Sequence, residues 1–124
     1  MAFFSHLHVH SEYSLMESTI KIKDLVSAAA RNDMKTVALT DKYVISGAVE
    51  FYKKATGKNI KPIIGCEICV MNNQILSHLI ILIKNIKGYE NLCQIISKSH
   101  MERRKASPPV VEVSGLKIMF IVID

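Results

Sequence analysis

The five-residue run HLHVH, residues 6–10, decides how this sequence is interpreted. Its histidines recur at every second position, which is the side-chain period of a β-strand, so His6, His8 and His10 are predicted to share one face. The neutral imidazole of histidine is the commonest protein ligand for transition metals. The run therefore favours a strand that carries metal ligands. The alternative is the polar face of an ordinary edge strand.

The composition indicates a single globular domain. Of the 124 residues, 49% are hydrophobic and 22% are charged, which excludes a disordered chain. The formal net charge of +5 permits contact with nucleic acid or phosphorylated substrates but does not demonstrate it. No apolar run approaches the ~20 residues of a membrane span, and the first residues lack a signal sequence. We therefore expect a cytoplasmic protein without membrane contact.

The three cysteines are an odd number, which argues against a disulfide framework. Cys66 and Cys69 form a C-x-x-C pattern, but they lie within a predicted strand at residues 60–70. Residues three apart on a strand face opposite sides of the sheet. The two sulfur atoms are therefore not expected to share one metal ion.

The rest of the sequence alternates strand and helix patterns. We predict strands at residues 3–10, 35–40, 60–70, 75–83 and 116–123, helices at 22–34, at 47–56 and from 85 onward, and a loop at 98–113. The β-α-β-α-β order of the first three strands implies that these strands are parallel and flanked by helices, with functional groups at their carboxyl ends. His8 and His10 end the first strand, Asp41 follows the second, and Glu67 lies in the third. Their positions predict a metal site of the kind found in β/α barrels.

Four segments resemble the polymerase and histidinol phosphatase (PHP) domain family. HLHVHSEYSLMES (6–18) is similar to the first motif of the family. Three further segments resemble the PHP domain at the amino terminus of bacterial DNA polymerase III alpha subunits: VALTDKYVISGAVEFYKKA (37–55), NIKPIIGCEICV (59–70) and HLIILIKNIKGYENLCQIIS (78–97). The resemblance implies an α/β fold, the first half of a distorted, TIM-like β/α barrel. It also implies a metal site at the carboxyl face of that barrel.

Carried over position by position, the resemblance implies a set of ligands and supporting residues. The ligands are His8, His10, Glu17, Glu67 and His78, with His6 and Asp41 in supporting positions. Active members of the family bind zinc, manganese or iron and hydrolyse phosphoesters, in some polymerases as a proofreading 3′–5′ exonuclease. A divalent metal of this kind is therefore the expected cofactor.

One departure from the family pattern weakens the expectation of activity. The second motif of the family reads Thr-Asp-His, whereas this sequence has Lys42 in place of the histidine. A protonated ammonium group cannot ligate a metal ion and repels a bound dication. Lys42 could point outward, or pair with Glu17 or Glu67 and replace the charge of a metal ion. The sequence thus predicts a degenerate metal site.

The length limits what this sequence can do alone. A complete β/α barrel takes roughly 200 residues or more, so residues 1–124 are interpreted as the amino-terminal part of a PHP domain. The expected partners are the rest of the polymerase alpha subunit and, in the full-length protein, DNA and other replication proteins. Open sheet edges and apolar surface predict that the fragment self-associates.

Three functions remain open at this point, and whether the segment is itself an enzyme is undecided. The favoured function is a structural module of a DNA polymerase alpha subunit. The alternatives are a metal-dependent phosphoesterase or exonuclease, and a free-standing PHP phosphatase. The segments SGAVEFY and KNIKGYENL favour the polymerase over a free-standing phosphatase. Lys42 favours the structural module over the phosphoesterase.

Overall fold

The computed structural model describes residues 4–104 and 107–116, which form an α/β unit. Its elements are α1 (Ile22–Arg31), β1 (Thr36–Leu39), α2 (Ala48–Thr56), β2 (Lys61–Asn72), β3 (Ile75–Leu82), α3 (Ile86–Met101), β4 (Val110–Glu112) and a 3-10 helix (Val113–Leu116). The predicted α/β class is confirmed. Within these residues, no helix is both long and apolar enough to cross a membrane.

Strand β2 is the centre of the sheet. β1 pairs in parallel with its first four residues, and β3 pairs in antiparallel with residues 65–72. β4 pairs in parallel with residues 69–71. Because β3 already occupies one edge of β2 there, β4 lies on the same edge as β1. Between β1 and β4 this edge has a gap, where Glu67 forms an isolated bridge with Lys42.

Two apolar clusters cover one face of the sheet. Helices α1 and α2 pack on β1 through the buried residues Ile22, Val26, Ala29, Val37, Leu39, Phe51, Ala55 and Ile60. Helix α3 packs on β2 and β3 in a second cluster, which includes Cys66, Ile68, Val70, Ile81, Leu92 and Val111. Burying one large aliphatic side chain contributes about 1.5–3 kcal/mol. Since strand side chains alternate, Glu67 and Cys69 face away from these helices.

Residues 4–10 lie beside β1 but do not form a regular strand, and Phe3 of the predicted strand lies outside the described residues. The carbonyl of His6 accepts a hydrogen bond from Ala38 N, at 3.0 Å, and the carbonyl of Val9 accepts one from Thr40 N, at 2.8 Å. Three residue steps on one segment therefore match two on the other. The Thr40 hydroxyl, in place of a backbone carbonyl, accepts a hydrogen bond from the N–H of Val9, at 2.9 Å. This extra residue interrupts the strict alternation expected for the three histidines.

The fourth predicted strand is present as β3, and it runs antiparallel to β2. Asn73 and Gln74 both adopt left-handed conformations, with φ of 47° and 67°. Two such residues in succession are typical of a two-residue hairpin loop, which joins neighbouring antiparallel strands. The short connection therefore excludes the crossover that a parallel pair would need.

The predicted loop at residues 98–113 was wrong at both of its ends. Helix α3 continues to Met101, and the β-branched pair Val110–Val111 starts strand β4. Leu116, the first residue of the last predicted strand, lies in the 3-10 helix. The remainder of that predicted strand falls outside the described residues.

Candidate metal centre

The site is built around Glu67, at the gap between β1 and β4. The backbone N–H of Glu67 donates to the Asp41 carbonyl, at 3.0 Å, and its carbonyl accepts from Tyr43 N, at 2.9 Å. These two bonds fix β2 against the segment that follows β1. The Glu67 side chain projects from the face opposite the helices and is only 7% exposed as a residue.

Two histidines converge on a single oxygen atom of Glu67. His8 Nε2 lies 2.7 Å from Glu67 Oε2, and His10 Nε2 lies 2.5 Å from the same atom. The two imidazole rings meet edge to face, with centroids 5.1 Å apart. The His8 side chain is 57% exposed, whereas that of His10 is 20% exposed. The group is therefore anchored in the protein on one side and open to solvent on the other.

The histidines determine the protonation of this carboxylate. Burial alone raises the pKa of Glu67, but the hydrogen bonds from His8 and His10 outweigh it, so the pKa lies below its ordinary value. Because a carboxylate oxygen accepts, both Nε2 atoms donate in this arrangement. Each imidazole must lose that proton before the same nitrogen can bind a metal ion.

The three residues fit a divalent transition metal. Their ligating atoms all lie within 4.8 Å of one another. Two imidazole nitrogens and one carboxylate oxygen suit zinc, manganese and iron, and three protein ligands with an open position are typical of catalytic zinc sites. At metal–ligand distances of ~2.0–2.2 Å, tetrahedral ligands lie about 3.4 Å apart. The histidine nitrogens would therefore move away from the carboxylate by less than about 1 Å.

Asp41 supports the site without its side chain joining the group. It is 1% exposed. Its carboxylate accepts hydrogen bonds from Ser11 N at 2.6 Å, Ser11 Oγ at 2.8 Å and Ser14 Oγ at 2.8 Å. Ser14 Oγ in turn accepts from Lys42 N, at 2.9 Å. Asp41 thus fixes the loop that follows His10 on one side and, through its carbonyl, Glu67 on the other.

Glu17 is paired with Lys42 and lies outside the three-residue group. Lys42 Nζ lies 2.8 Å from Glu17 Oε1. This hydrogen bond raises the pKa of Lys42 and lowers the pKa of Glu17. The Lys42 ammonium also lies 5.5 Å from the centroid of the Tyr43 ring, within the range of a cation–π contact. The sequence allowed Lys42 to point outward or to pair with Glu17 or Glu67, and in the structure its ammonium pairs with Glu17.

His78 and His6 also lie outside the group. His78 Nε2 lies 3.1 Å from Tyr43 Oη instead. His6 is exposed, and its ring packs edge-on against Phe4 with centroids 4.7 Å apart. The extra residue between the contacts of His6 and Val9 with β1 separates His6 from the other two histidines.

The two cysteines of the C-x-x-C pattern lie in different environments. Cys66 is part of the cluster under α3, and burial raises the pKa of its thiol to about 12. Cys69 pairs in register with His78 on the face that carries Glu67. Such a division between the two faces is what the strand period predicts.

Sequence reasoning missed the role of three residues. Ser11 and Ser14 bind the carboxylate of Asp41, which lies 30 and 27 positions away along the chain. Tyr43 contacts both Lys42 and His78. The only signal for Tyr43 was its place directly after the Thr-Asp-Lys variant of the second motif.

A comparison with protein families matches residues 6–117 to the PHP domain. This chain belongs to the PHP family. The resemblance identified from the sequence segments is therefore confirmed, and the metal group described above lies within the matched residues.

Relatives of this PHP chain are replicative polymerases. It is 42% identical to the DNA polymerase III subunit alpha of Borreliella burgdorferi over 110 residues, which cover 80% of the chain and 10% of that protein. For the corresponding subunit of Escherichia coli K12 the identity is 38% over 112 residues, or 88% of the chain and 10% of the relative. The PHP chain thus spans about a tenth of the length of these relatives and is homologous to their amino-terminal region.

Solved structures share the fold of this PHP chain. A proposed metal-dependent phosphoesterase of Bifidobacterium adolescentis superposes with a TM-score of 0.63 at 17% identity, over 80% of the chain and 34% of that protein. An amidohydrolase of Chromobacterium violaceum gives a TM-score of 0.55 at 22% identity, over 76% of the chain and 33% of that protein. These proteins have TIM-barrel-like folds, so the partial sheet corresponds to part of a β/α barrel, as predicted.

Proposed function

We propose that this PHP chain is the amino-terminal part of the PHP domain of a bacterial DNA polymerase III alpha subunit. In that setting it acts as a structural module with a degenerate metal site, and the DNA synthesis belongs to the rest of the full-length protein. The proposal is supported by relatives 37–42% identical over most of the chain, of which the chain spans about a tenth.

One observation carries the structural assignment: Lys42 binds Glu17 at 2.8 Å. The family resemblance implies five ligands, but only His8, His10 and Glu67 come together in the described part of the chain. The lysine ammonium supplies, as part of the polypeptide, the positive charge that Glu17 would otherwise share with a metal ion. A lysine in this place both removes one ligand and repels an incoming dication.

The proposed partner is the remainder of the same polymerase. Ile75 and Leu76, at the start of β3, are 67% and 51% exposed, and Met101, at the end of α3, is 79% exposed. Exposed apolar side chains such as these favour burial against another part of the protein. In isolation the same surface favours self-association of the fragment. Contact with DNA and a cytoplasmic location follow from the proposed role in replication.

A metal-dependent phosphoesterase or 3′–5′ exonuclease is the second candidate. It is favoured by the three ligating atoms within 4.8 Å and by the exposure of His8 on their open side. A bound zinc, manganese or iron ion would supply a Lewis acid and neutralise phosphate charge. A free-standing PHP phosphatase is less well supported, because the relatives described above are all polymerase subunits.

The test uses the complete protein, stripped of metal by a chelator and reloaded with Mn²⁺ or Zn²⁺. Metal content per mole and hydrolysis of 3′-labelled single-stranded DNA are measured for the wild type, Lys42→His and Lys42→Gln. We expect negligible wild-type hydrolysis and a gain only in Lys42→His, because that variant restores a ligand whereas Lys42→Gln only removes the charge.

Each of the other outcomes contradicts part of the proposal. Metal-dependent hydrolysis by the wild type, lost in His8→Ala, would establish the phosphoesterase and refute the structural module. An equal gain in Lys42→Gln would show that the lysine charge is the defect. No gain in either variant would show that position 42 does not account for the loss of chemistry.

A further inference from the structure

Tyr43 connects more parts of this site than any ligand does. Its backbone N–H donates to the Glu67 carbonyl, at 2.9 Å, and its own carbonyl accepts from His100 Nε2 of α3, at 2.8 Å. Its hydroxyl lies 3.1 Å from His78 Nε2, and its ring lies beside the Lys42 ammonium. One residue thus contacts β2, β3, α3 and the segment after β1.

The backbone of Tyr43 is in a conformation that L side chains rarely adopt. Its φ is 66°, in the left-handed region that glycine occupies without steric cost. A bulky aromatic residue persists in that region only when its surroundings hold it there. The hydrogen bonds to Glu67 and His100 hold the backbone on both sides. This strained backbone directs the Tyr43 ring toward Lys42 and His78.

His78 lies within reach of the metal group. It pairs in register with Cys69, whereas Ile80 pairs with Glu67, so His78 is a diagonal neighbour of Glu67 on the same face. Diagonal cross-strand neighbours are about 7–8 Å apart, a separation that long side chains can bridge. His78 therefore lies on the face that carries Glu67, while its Nε2 atom contacts the Tyr43 hydroxyl.

We propose that Tyr43 is a positioning residue that withholds His78 from the metal group by occupying its Nε2 atom. In the His78 tautomer that carries its proton on Nδ1, the Tyr43 hydroxyl donates to Nε2, so the lone pair that would bind a metal ion is engaged. The Tyr43 ring meanwhile holds the Lys42 ammonium on the Glu17 side. The site consequently presents three ligands. This inference rests on the metal group of the proposed function and adds the residue that limits it.

The variant Tyr43→Phe isolates the hydroxyl, because phenylalanine keeps the ring beside Lys42. Zn²⁺ affinity is measured by calorimetry on the complete protein for Tyr43→Phe, His78→Ala and the double variant, with Tyr52→Phe on α2 as the matched control. We expect Tyr43→Phe to bind Zn²⁺ roughly tenfold tighter, at the lower end of the ten- to hundredfold changes that outer-shell partners produce. His78→Ala alone should have no effect, and it should abolish the gain in the double variant.

Nitrogen NMR of the imidazoles provides a second readout that does not require a variant to fold. In the wild type, Zn²⁺ should shift the ring nitrogens of His8 and His10 and leave those of His78 unchanged. A shift of His78 in the wild type would show that it already binds metal and would overturn the proposal. So would a Tyr43→Phe gain that survives His78→Ala, or unchanged affinity in Tyr43→Phe. Absence of Zn²⁺ binding in every variant would refute the metal group itself as well.

Discussion

Two buried carboxylates, on neighbouring segments of the sheet, differ in the partners that hold them. Among the described residues, Asp41 accepts hydrogen bonds from one backbone amide and two serine hydroxyls, and these donors keep their protons at any ordinary pH. Glu67 accepts from two imidazoles, which can release a proton and bind a cation with the same atom. The comparison teaches that burial alone does not mark a functional carboxylate. A carboxylate suited to metal binding has partners that can release a proton and bind the cation with the same atom.

The largest expected effect is the loss of stability when the hydrogen bonds to Asp41 are removed. Asp41→Ala removes the acceptor of three hydrogen bonds and leaves buried donors unpaired, so we expect it to lower the free energy of unfolding by about 3–5 kcal/mol. Urea denaturation of the complete protein measures this loss. The control is Asp24→Ala, because Asp24 is an exposed carboxylate in the first turn of α1. Equal losses in the two variants would contradict an anchoring role for Asp41.

The second prediction concerns metal binding by the group around Glu67. His8→Ala removes one of the three ligands, so it should weaken Zn²⁺ binding by more than about a hundredfold, beyond the range typical of outer-shell changes. The His8 side chain is largely exposed, so the effect of the substitution on stability should be small. His6→Ala, in the same segment but outside the group, is the matched control. If His6→Ala weakens binding as much as His8→Ala, the three-residue group is not the binding site.

The third prediction concerns pH. Because the pKa of Glu67 is lowered below its ordinary 4.5 in the folded protein, its contribution to stability is present above pH 4.5 and is lost as the pH falls through the folded value. Glu67→Gln should therefore cost about 1–3 kcal/mol at neutral pH, and less under acid conditions. Unfolding curves of both proteins from neutral to acid pH test this convergence. Curves that stay equally far apart would refute it.

The smallest expected effect concerns the Lys42–Glu17 pair. The pKa of Lys42 is raised from 10.5, so the contribution of the pair to stability is present below that pH and is lost as the pH rises through the folded value. Glu17→Gln should change stability only slightly and only at low salt, because exposed pairs are screened. Thermal unfolding at low and at about 1 M salt measures it. A large loss that persists at high salt would place Glu17 in the buried network.

The sequence predicted those features that depend on local patterns. The periodicity of α1 and α2 and the apolar run of β2 located these elements within a few residues. Strand β4 was missed, because its formation depends on which edge of β2 is available. His8, His10 and Glu67 could be selected together because the two histidines end the first predicted segment and the family resemblance implies Glu67 as a further ligand.

The contacts that divert the other site residues could not be predicted. Glu17 is held by Lys42, 25 positions away, and His78 is held by Tyr43, 35 positions away. No local pattern around any of these residues encodes such a distant pairing. Sequence patterns therefore supplied the candidate ligands, whereas the three-dimensional arrangement determines which of them lie together.

The gap between β1 and β4 on one edge of β2 is produced by the backbone, whereas the chemistry of the site depends on the side chains at the gap. β1 and β4 share one edge of β2, and the bridge between Glu67 and Lys42 lies in the interval between them. That interval is produced by backbone pairing and would persist whichever side chains stood there. Exchanging a histidine for Lys42 alters the occupant and leaves the location intact. A change of side chain at position 42 can therefore add or remove a metal ligand without altering the backbone pairing that locates the site.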